Sequence, residues 1–403
     1  MASARALNPP ASLNLLIALF LGLWLVVALF PLLWVAIMSF RIPVDAFAAD
    51  PLQVLAGPLT LASRGGISAL GLIAGAVMLL AIYQLAGKAI TRTSRLMSAA
   101  LPAPVAWVIA TVVLGLVAIA AVVWLVPLVI SALDASVAPI PIIGGLASPL
   151  IGATGEHYRA VWVEHSFYRN FLNSAIVTAG VVIVSLSVGT LAGYALARTK
   201  SSLAFWLLIA ALVFRAVPQS VLVAGYLPIF IDSREWLAPL WNAPGLGSLL
   251  KLFAEYPPTL YGQPIAVIAV LVSINQPFTI WMLRSFFQSI PAELDEAARV
   301  DGCSHFEAFR RVIMPVMWPG VITTGLFSFL LAYNDYLVCA MLLDAQSQTM
   351  VPAIAQYFNR ETTTTDQVQA VAAAVSITAP LFLLVMVFQR QIVSGLTAGA
   401  VKG

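Results

Sequence analysis

The stretch ELDEAARVDGCSHFEAFRRVIMP, from Glu293 to Pro315, is a charged and sharply punctuated segment between two long apolar runs. Only 9% of the 403 residues are charged. Because charged side chains are costly inside lipid, so dense a cluster is expected to lie outside the hydrocarbon of a membrane. This stretch is called the docking segment below, and the apolar runs around it set the fold class.

Apolar residues make up 61% of the chain, well above the roughly 45–50% that is usual in soluble domains. Such a composition excludes an ordinary soluble domain and is typical of a polytopic membrane protein. In lipid, a helix satisfies its backbone polar groups within a single segment, so the spans are expected to be helical. The predicted fold class is therefore an all-α polytopic membrane protein.

Eight apolar runs are long enough to cross a hydrocarbon core of about 30 Å as helices, and we predict eight transmembrane helices from them. Arg215 interrupts one run, while Pro31 and Pro127 indicate kinks or helix ends in two runs that exceed a single span. The first run is too long for a cleaved signal peptide, so it is expected to be retained. The runs are residues 6–40, 65–87, 96–133, 170–197, 201–231, 256–283, 312–334 and 367–389.

Basic residues in short loops predict the orientation of the spans. If the N-terminus is inside, 12 of the 20 Lys and Arg residues fall on the internal face. An even number of spans then places both termini on that face, together with the docking segment. The predicted topology is multi-pass with both termini cytoplasmic.

Local signals resolve the docking segment into two short amphipathic helices. Acidic residues from Glu293 to Glu296 favour the positive N-terminal end of a first helix, and Asp301-Gly302 supplies its end, since glycine can adopt a left-handed conformation. Ser304 and Glu307 match a capping box at the start of a second helix. Phe306 belongs to the apolar face of this second helix, and Pro315 marks the beginning of the next span.

Two roles for this hairpin remain open from the physical argument. It could dock into a groove of a partner protein, as short amphipathic helices do. Alternatively, it could rest on lipid headgroups at the membrane surface. Helices of this length are marginal in water, so one of the two surfaces must hold them.

The spacing of the docking segment resembles the EAA loop of the permease subunits of ATP-binding-cassette importers. Glu296-Ala297-Ala298, Gly302 and Val312-Ile313-Met314-Pro315 follow the pattern EAA-x3-G-x9-I-x-L-P, with conservative departures at Val312 and Met314. Further segments resemble the maltose-type carbohydrate permeases within this family. They are RNFLNS at 169–174, ALART at 195–199, FRAVP at 214–218, LRSFFQSIPAELDEAARVDG at 283–302 and the closing FQRQIVSGLTAGAVKG.

The resemblance implies a permease subunit of a type I importer in the plasma (inner) membrane of a prokaryote. It implies two ATP-binding-cassette ATPase subunits that supply ATP and Mg, a second homologous permease subunit, and an extracellular or periplasmic sugar-binding protein. Lipid surrounds the spans, and no nucleic acid is expected. The residues expected to couple to the ATPase are Glu296, Ala297, Ala298, Asp301, Gly302, Phe306 and Pro315.

The front of the chain departs from this family pattern, because two extra spans precede the expected six-helix core. They are predicted to form an inserted hairpin that packs against lipid, with regulation or partner binding as the alternative. The expected organisation is 1–64 for the first helix and external loop, 65–133 for the hairpin, 134–168 for an external segment, 169–391 for the permease domain with its coupling loop at 291–315, and 392–403 for the tail.

No nucleotide or metal motif is visible in the sequence. The tetrapeptide Ala86-Gly87-Lys88-Ala89 lacks the upstream glycine and the Ser or Thr of a phosphate-binding loop. The chain is therefore predicted not to be an enzyme, with no cofactor of its own and ATP hydrolysis in a partner subunit.

Polar groups within spans are candidates for a substrate pathway, because a sugar needs hydrogen-bonding partners while it crosses the bilayer. Pro218 could break the helix beside Arg215. The candidates are Arg215, Asn275, Gln276, Asn334 and Asp335, and structural hydrogen bonds between helices are the alternative role for each.

The resulting hypothesis is the membrane subunit of an ATP-driven importer for a sugar, which is an α-glucoside such as maltose or trehalose or another oligosaccharide. An ion-gradient-driven transporter, an importer for a non-sugar solute, and a membrane scaffold or receptor are the alternatives.

Overall fold

The computed structural model describes residues 11–99, 103–141, 143–199, 201–244, 259–359 and 363–400, and these residues are almost entirely helical. The predicted class, an all-α polytopic membrane protein, is confirmed. The chain divides into two compact units. The first contains residues 1–100, 107–164 and 357–379, and the second contains residues 101–106, 165–356 and 380–403.

The first unit contains three long apolar helices and a set of short elements between them. Three of the short helices begin with proline, whose fixed φ and missing N–H suit the first helical turn. The elements are α1 (Ala11–Met38), α2 (Pro43–Ala46), α3 (Pro51–Ala56), α4 (Pro58–Arg64), β1 (Gly66–Ser68), α5 (Ala69–Met97), α6 (Ala103–Val137), a 3-10 turn (Gly144–Ala147), β2 (Pro149–Gly152), α7 (Glu156–Arg159) and a π turn (Ala160–Glu164).

A buried polar cluster holds the short elements of the first unit together. The Arg41 guanidinium donates to the backbone carbonyls of Val54, at 2.8 Å, and Gly152. The Asp45 carboxylate accepts hydrogen bonds from the backbone N–H and the hydroxyl of Thr60, at 2.6 and 2.7 Å. Buried charges are tolerated only when they are hydrogen-bonded, and both of these are.

The predicted hairpin of extra spans corresponds to α5 and α6, which lie between the paired strands β1 and β2. The strands are antiparallel, with Ser68 opposite Pro149. The Ser68 hydroxyl donates to the Asp134 carboxylate at 2.6 Å, and a Cβ at Gly71 would lie 2.8 Å from Ile130. The two long helices therefore meet at the end where the strands join them.

The second unit begins with a long helix and continues through the docking segment. Helices α6, α17 and α18 each have residues in both units. The elements are α8 (Phe167–Arg198), α9 (Ser202–Phe214), α10 (Gln219–Ile231), α11 (Ser233–Asn242), α12 (Pro264–Gln288), α13 (Glu293–Val300), α14 (His305–Ala308), a π turn (Phe309–Ile313), α15 (Met314–Tyr333), α16 (Leu337–Leu342), α17 (Met350–Asn359) and α18 (Thr364–Ala400).

Glycines on α8 allow α12 to pack closely against it. A Cβ at Gly180 would lie 2.5 Å from the Ile268 side chain, and one at Gly189 would lie 2.6 Å from the Thr279 methyl group. Close approach through small residues is the usual way in which membrane helices associate, because lipid gives no hydrophobic drive between them. The α8–α12 pair is therefore the packing centre of the second unit.

Among the described residues, each of the eight predicted spans overlaps a helix. Within the described ranges, six helices are long and apolar enough to cross a membrane by length and composition, and α9 with α10–α11 makes a seventh candidate that is bent by 95°. The eighth predicted span, 367–389, lies within α18. Pro31 and Pro127 lie inside continuous helices, so neither ends a helix. The break predicted at Pro218 is confirmed, since α9 ends at Phe214 and α10 begins at Gln219.

Candidate functional site

The first half of the docking segment is a single short helix, α13, that ends at a glycine. Gly302 has a φ of +89°, which L-residues rarely adopt. The Gly302 N–H donates to the Arg299 carbonyl at 3.1 Å, and the Cys303 N–H donates to the Ala298 carbonyl at 3.0 Å. These two bonds form a Schellman motif, which satisfies the free carbonyls at the helix end. The predicted stop at Asp301-Gly302 is confirmed.

The second half of the docking segment starts with the predicted capping box. The Glu307 N–H donates to the Ser304 hydroxyl at 3.3 Å, and the Ser304 N–H donates to the Glu307 carboxylate at 3.0 Å. Both free donors at the helix start are thereby satisfied.

The prediction of a separate second short helix is wrong. Residues His305–Tyr333 form one continuous helix, so the second half of the segment is the first part of a membrane span. Pro315 does not interrupt it, because the π turn Phe309–Ile313 widens the helix just before the proline ring. The docking segment is thus one short helix turned back against the end of a long one.

Polar contacts fix the short helix to the end of α8. The Asp295 carboxylate accepts from the Tyr194 hydroxyl at 2.5 Å and from Arg198 Nε at 2.7 Å. Arg198 also donates to the backbone carbonyls of Phe287 and Ile290, at 3.3 and 3.2 Å. Charge-assisted hydrogen bonds of this kind are among the strongest in proteins. Motion of the short helix is therefore coupled to the ends of α8 and α12.

No local pattern in the sequence predicts this anchor. The pattern predicts only a helix-end role for Asp295, and Tyr194 and Arg198 lie about one hundred positions before it. The single signal was the ALART run at 195–199, which carried the resemblance without indicating a contact.

An aromatic cluster of Tyr194, Phe287 and Phe309 packs beside this anchor. The ring centroids of Tyr194 and Phe309 are 4.9 Å apart, and those of Tyr194 and Phe287 are 5.5 Å apart. Ile313 and Met317 extend this core along the long helix. The base of the docking segment, which contains Asp295, Phe309 and Ile313, is therefore tightly packed. Its tip, from Val300 to Gly302, is exposed.

Most of the residues predicted to couple to the ATPase are exposed. Ala298 is the exception, because it is buried. Phe306 is 62% exposed, and Val300, which the sequence prediction missed, is 87% exposed. The exposed predicted residues are Glu296, Ala297, Asp301, Gly302, Phe306 and Pro315.

The predicted pathway residues fall into two groups in the second unit. The Arg215 guanidinium lies 4.6 Å from the ring centroid of Phe278. Phe278 is close in sequence to Asn275 and Gln276. Asn334 and Asp335 instead lie at the end of α15, where Asn334 is exposed and the Asp335 carboxylate accepts from the Cys339 N–H.

Asn275 and Gln276 take part in polar contacts between helices. Asn275 Nδ2 donates to the Ser328 hydroxyl at 2.7 Å and to that of Ser185 at 3.4 Å. Gln276 Nε2 donates to the Ser185 carbonyl at 3.3 Å, while its Oε1 is buried with no partner within the described part of the chain. These contacts join α8, α12 and α15.

The RNFLNS segment has a structural role that the sequence did not reveal. Asn170 Nδ2 donates to the Gln348 carbonyl at 2.9 Å, and Asn173 Nδ2 donates to the Gln346 carbonyl at 3.1 Å. The Met350 N–H donates to the Ser174 hydroxyl at 2.9 Å. Three polar side chains at the start of α8 thus hold the loop before α17.

Comparison with known proteins gives a consistent result. A family model described as "Binding-protein-dependent transport system inner membrane component" matches residues 185–397, which is more than half of the chain. This range includes the whole docking segment.

Three relatives are similar to the chain over most of their own length. The diacetylchitobiose uptake system permease protein DasC of Streptomyces coelicolor is 33% identical over 62% of this chain and 81% of that protein. The trehalose transport system permease protein SugB of Mycobacterium tuberculosis is 30% identical over 62% and 82%. The trehalose/maltose transport system permease protein MalG of Thermococcus litoralis is 30% identical over 64% and 85%.

Proposed function

Because the chain belongs to the family of binding-protein-dependent transport system inner membrane components, we propose that it is a membrane-spanning subunit of an ATP-driven sugar importer. The names of the similar permeases support a di- or oligosaccharide as the substrate, and trehalose and maltose are the α-glucosides among them. The family does not favour an ion-gradient-driven transporter. The importer requires an external sugar-binding protein to deliver the substrate.

The docking segment is proposed to bind a separate ATPase subunit, where ATP and Mg are bound and hydrolysed. The observation that carries this proposal is an exposed tip next to a packed base. Val300 in the tip is 87% exposed, and Asp295 in the base is bonded to Arg198. A partner that moves this tip would transmit the movement to α8 and α12. The full complex is proposed to contain two ATPase subunits and a second, homologous permease subunit.

The substrate pathway is proposed to pass the α8–α12–α15 contact. Gln276 supports this assignment, because its buried Oε1 has no partner within the described residues and can accept a hydrogen bond from a sugar hydroxyl. Arg215 lies at the break between α9 and α10, on the ring of Phe278. Asn275, Asn334 and Asp335 are also proposed to contact the substrate along the pathway.

Transport assays with the complete complex test the function. Proteoliposomes that contain the permease pair, the ATPase and the binding protein should accumulate radiolabelled trehalose or maltose only when ATP is supplied on the ATPase side. Uptake that persists without the ATPase subunit would support the ion-gradient alternative. Uptake of neither sugar, with ATP hydrolysis stimulated by another solute, would overturn the substrate class alone.

A substitution at the tip tests docking separately. Ala297 is exposed, so Ala297→Trp should leave this subunit folded but obstruct a groove that receives the helix. We expect the ATPase to be lost on affinity purification of that variant. Ala195→Trp, at an exposed position near the end of α8, is the matched control and should retain the ATPase. Equal recovery of the ATPase with both variants would contradict the docking proposal.

A further inference from the structure

Three cationic side chains form a stripe along one face of α5. Lys88, Arg92 and Arg95 follow the i, i+4, i+7 spacing that places residues on the same side of a helix. All three are exposed. The rise per residue is about 1.5 Å, so the stripe extends for roughly 10 Å along the helix axis.

The length of α5 sets the depth of this stripe in a membrane. The helix runs for 29 residues from Ala69 to Met97, so it is longer than the roughly 20 residues that cross the hydrocarbon core. No charged residue occurs between Gly65 and Gly87. If that uncharged part fills the core, Lys88 lies at its boundary, and Arg92 and Arg95 lie among the headgroups.

The stripe has no acidic partner in the chain segment that carries it. The sequence from Pro51 to Leu133 contains neither aspartate nor glutamate. In the part of the chain that the structure describes, no ion pair involves Lys88, Arg92 or Arg95. Three adjacent cations therefore face outward without compensation from their own surroundings.

We propose that the Lys88, Arg92 and Arg95 stripe binds the phosphate groups of anionic phospholipids. The charge is complementary, and the depth matches the headgroup layer. Basic residues beside a membrane helix attract anionic lipid by about 1 kcal/mol each, which corresponds to roughly fivefold in affinity for each side chain. The inserted hairpin thereby gives this permease a lipid-binding element in front of the region that matches the family.

Lipid binding to the purified complex tests the proposal. The delipidated, detergent-solubilised transporter is titrated with fluorescent phosphatidylglycerol, and with phosphatidylcholine as the zwitterionic probe. The triple variant K88Q/R92Q/R95Q should bind phosphatidylglycerol on the order of 100-fold more weakly, with phosphatidylcholine unchanged. Each single variant should weaken binding about fivefold, which keeps the test usable if the triple variant does not insert.

Two control variants test whether lipid binding depends on this stripe or on positive charge anywhere in the protein. The triple variant R159Q/R169Q/R234Q removes three exposed positive charges that do not form a stripe and should leave phosphatidylglycerol binding within about twofold, because separated charges do not act together on one headgroup. R92K/R95K retains the charge and should retain binding. Unchanged phosphatidylglycerol affinity in K88Q/R92Q/R95Q and its single variants overturns the proposal. If that triple variant instead loses only the ATPase subunit, the stripe binds protein and the lipid proposal fails.

Discussion

The backbone conformation of Gly302 is the most demanding single feature of the docking segment. Its φ of +89° costs an ordinary L-residue about 1–2 kcal/mol, whereas a Cβ there would meet no atom within 4 Å of this chain. Within the subunit, the need for glycine is therefore conformational. Any further steric need must come from a partner.

Replacing Gly302 distinguishes these two needs. Asparagine tolerates the left-handed conformation better than alanine, so Gly302→Asn should retain more ATP-driven uptake than Gly302→Ala if conformation alone matters. We expect Gly302→Ala to reduce uptake several-fold while the subunit remains inserted. The measurement is sugar uptake together with ATP hydrolysis in proteoliposomes. Full activity of Gly302→Ala would contradict the conformational argument, and a greater loss with Asn would indicate close approach by the ATPase.

His157 makes the stability of the first unit sensitive to pH. Burial lowers the pKa of the His157 imidazole below its usual value, although the hydrogen bond to the Arg41 carbonyl, at 3.0 Å, acts in the opposite direction. An unfolded chain therefore binds a proton at a higher pH than the folded one. Stability should fall as the pH drops from about 6.5 toward the folded pKa, by up to about 1.4 kcal/mol per pH unit.

The pH dependence of thermal unfolding checks this sign. The apparent Tm of the wild-type protein should fall between pH 7.5 and pH 5.5, and the fall should be smaller in His157→Gln. Glutamine can still donate to the Arg41 carbonyl, so the fold is expected to persist. His305→Gln, at an exposed histidine, controls for the loss of an imidazole. Identical Tm profiles for wild type and His157→Gln would contradict the prediction.

At the scale of elements, local signals in the sequence were sufficient for helix ends but not for helix continuity. The Gly302 stop and the Ser304 capping box depend on neighbouring residues, and both were predicted. The fusion of α14 with α15 was not predicted, because Pro315 is normally a sign of a helix start or break. The Asp295 anchor to Arg198 was also missed, since no local pattern encodes a contact between distant segments.

The contact between α8 and α12 is another element-scale feature, and it depends on a small residue at Gly189. A Cβ there would lie 2.6 Å from the methyl group of Thr279, whose hydroxyl donates to the Asn275 carbonyl. Rotating the Thr279 side chain away would break that bond, and Thr279 is buried. The contact with a new Cβ is therefore not easily relieved. We expect Gly189→Ala to destabilise the protein by about 1–3 kcal/mol, measured as a lower Tm in detergent.

Gly225→Ala is the matched control for this prediction. Gly225 lies inside a helix of the same unit, and a Cβ there would meet no atom within 4 Å. Alanine should be neutral or slightly stabilising at that position, because it loses less backbone entropy than glycine. Equal changes in Tm for the two substitutions would show that close packing between α8 and α12 does not determine stability at Gly189.

At the scale of the whole molecule, composition and charge-free runs predicted the class of fold, and the spacing of the docking segment indicated the family. The pairing of β1 with β2 across the inserted hairpin could not be predicted, since the strands have three and four residues and are separated by α5 and α6. This pairing brings Ser68 opposite Pro149. The two ends of the insertion are therefore already adjacent.

Their adjacency predicts that the insertion can be removed. Replacing residues 69–148 by Asn-Gly would join β1 to β2 through a two-residue turn, which suits antiparallel strands. The family match begins at residue 185, after the insertion. We therefore expect the shortened protein to insert, retain its ATPase subunit and import sugar at a rate within several-fold of the full chain. Its binding of phosphatidylglycerol should fall as in K88Q/R92Q/R95Q.

A replacement variant separates the loss of the hairpin from the loss of its charges. In that variant, an unrelated two-helix membrane hairpin without basic residues on its exposed face takes the place of residues 69–148. If the hairpin serves only as packing against lipid and as a carrier of the stripe, both variants should transport equally and both should lose the anionic-lipid binding. Transport that fails in the shortened protein and is restored by the unrelated hairpin would mean that the first unit needs helices there to fold. Transport that fails in both would mean that side chains of α5 or α6 act directly in the transport cycle.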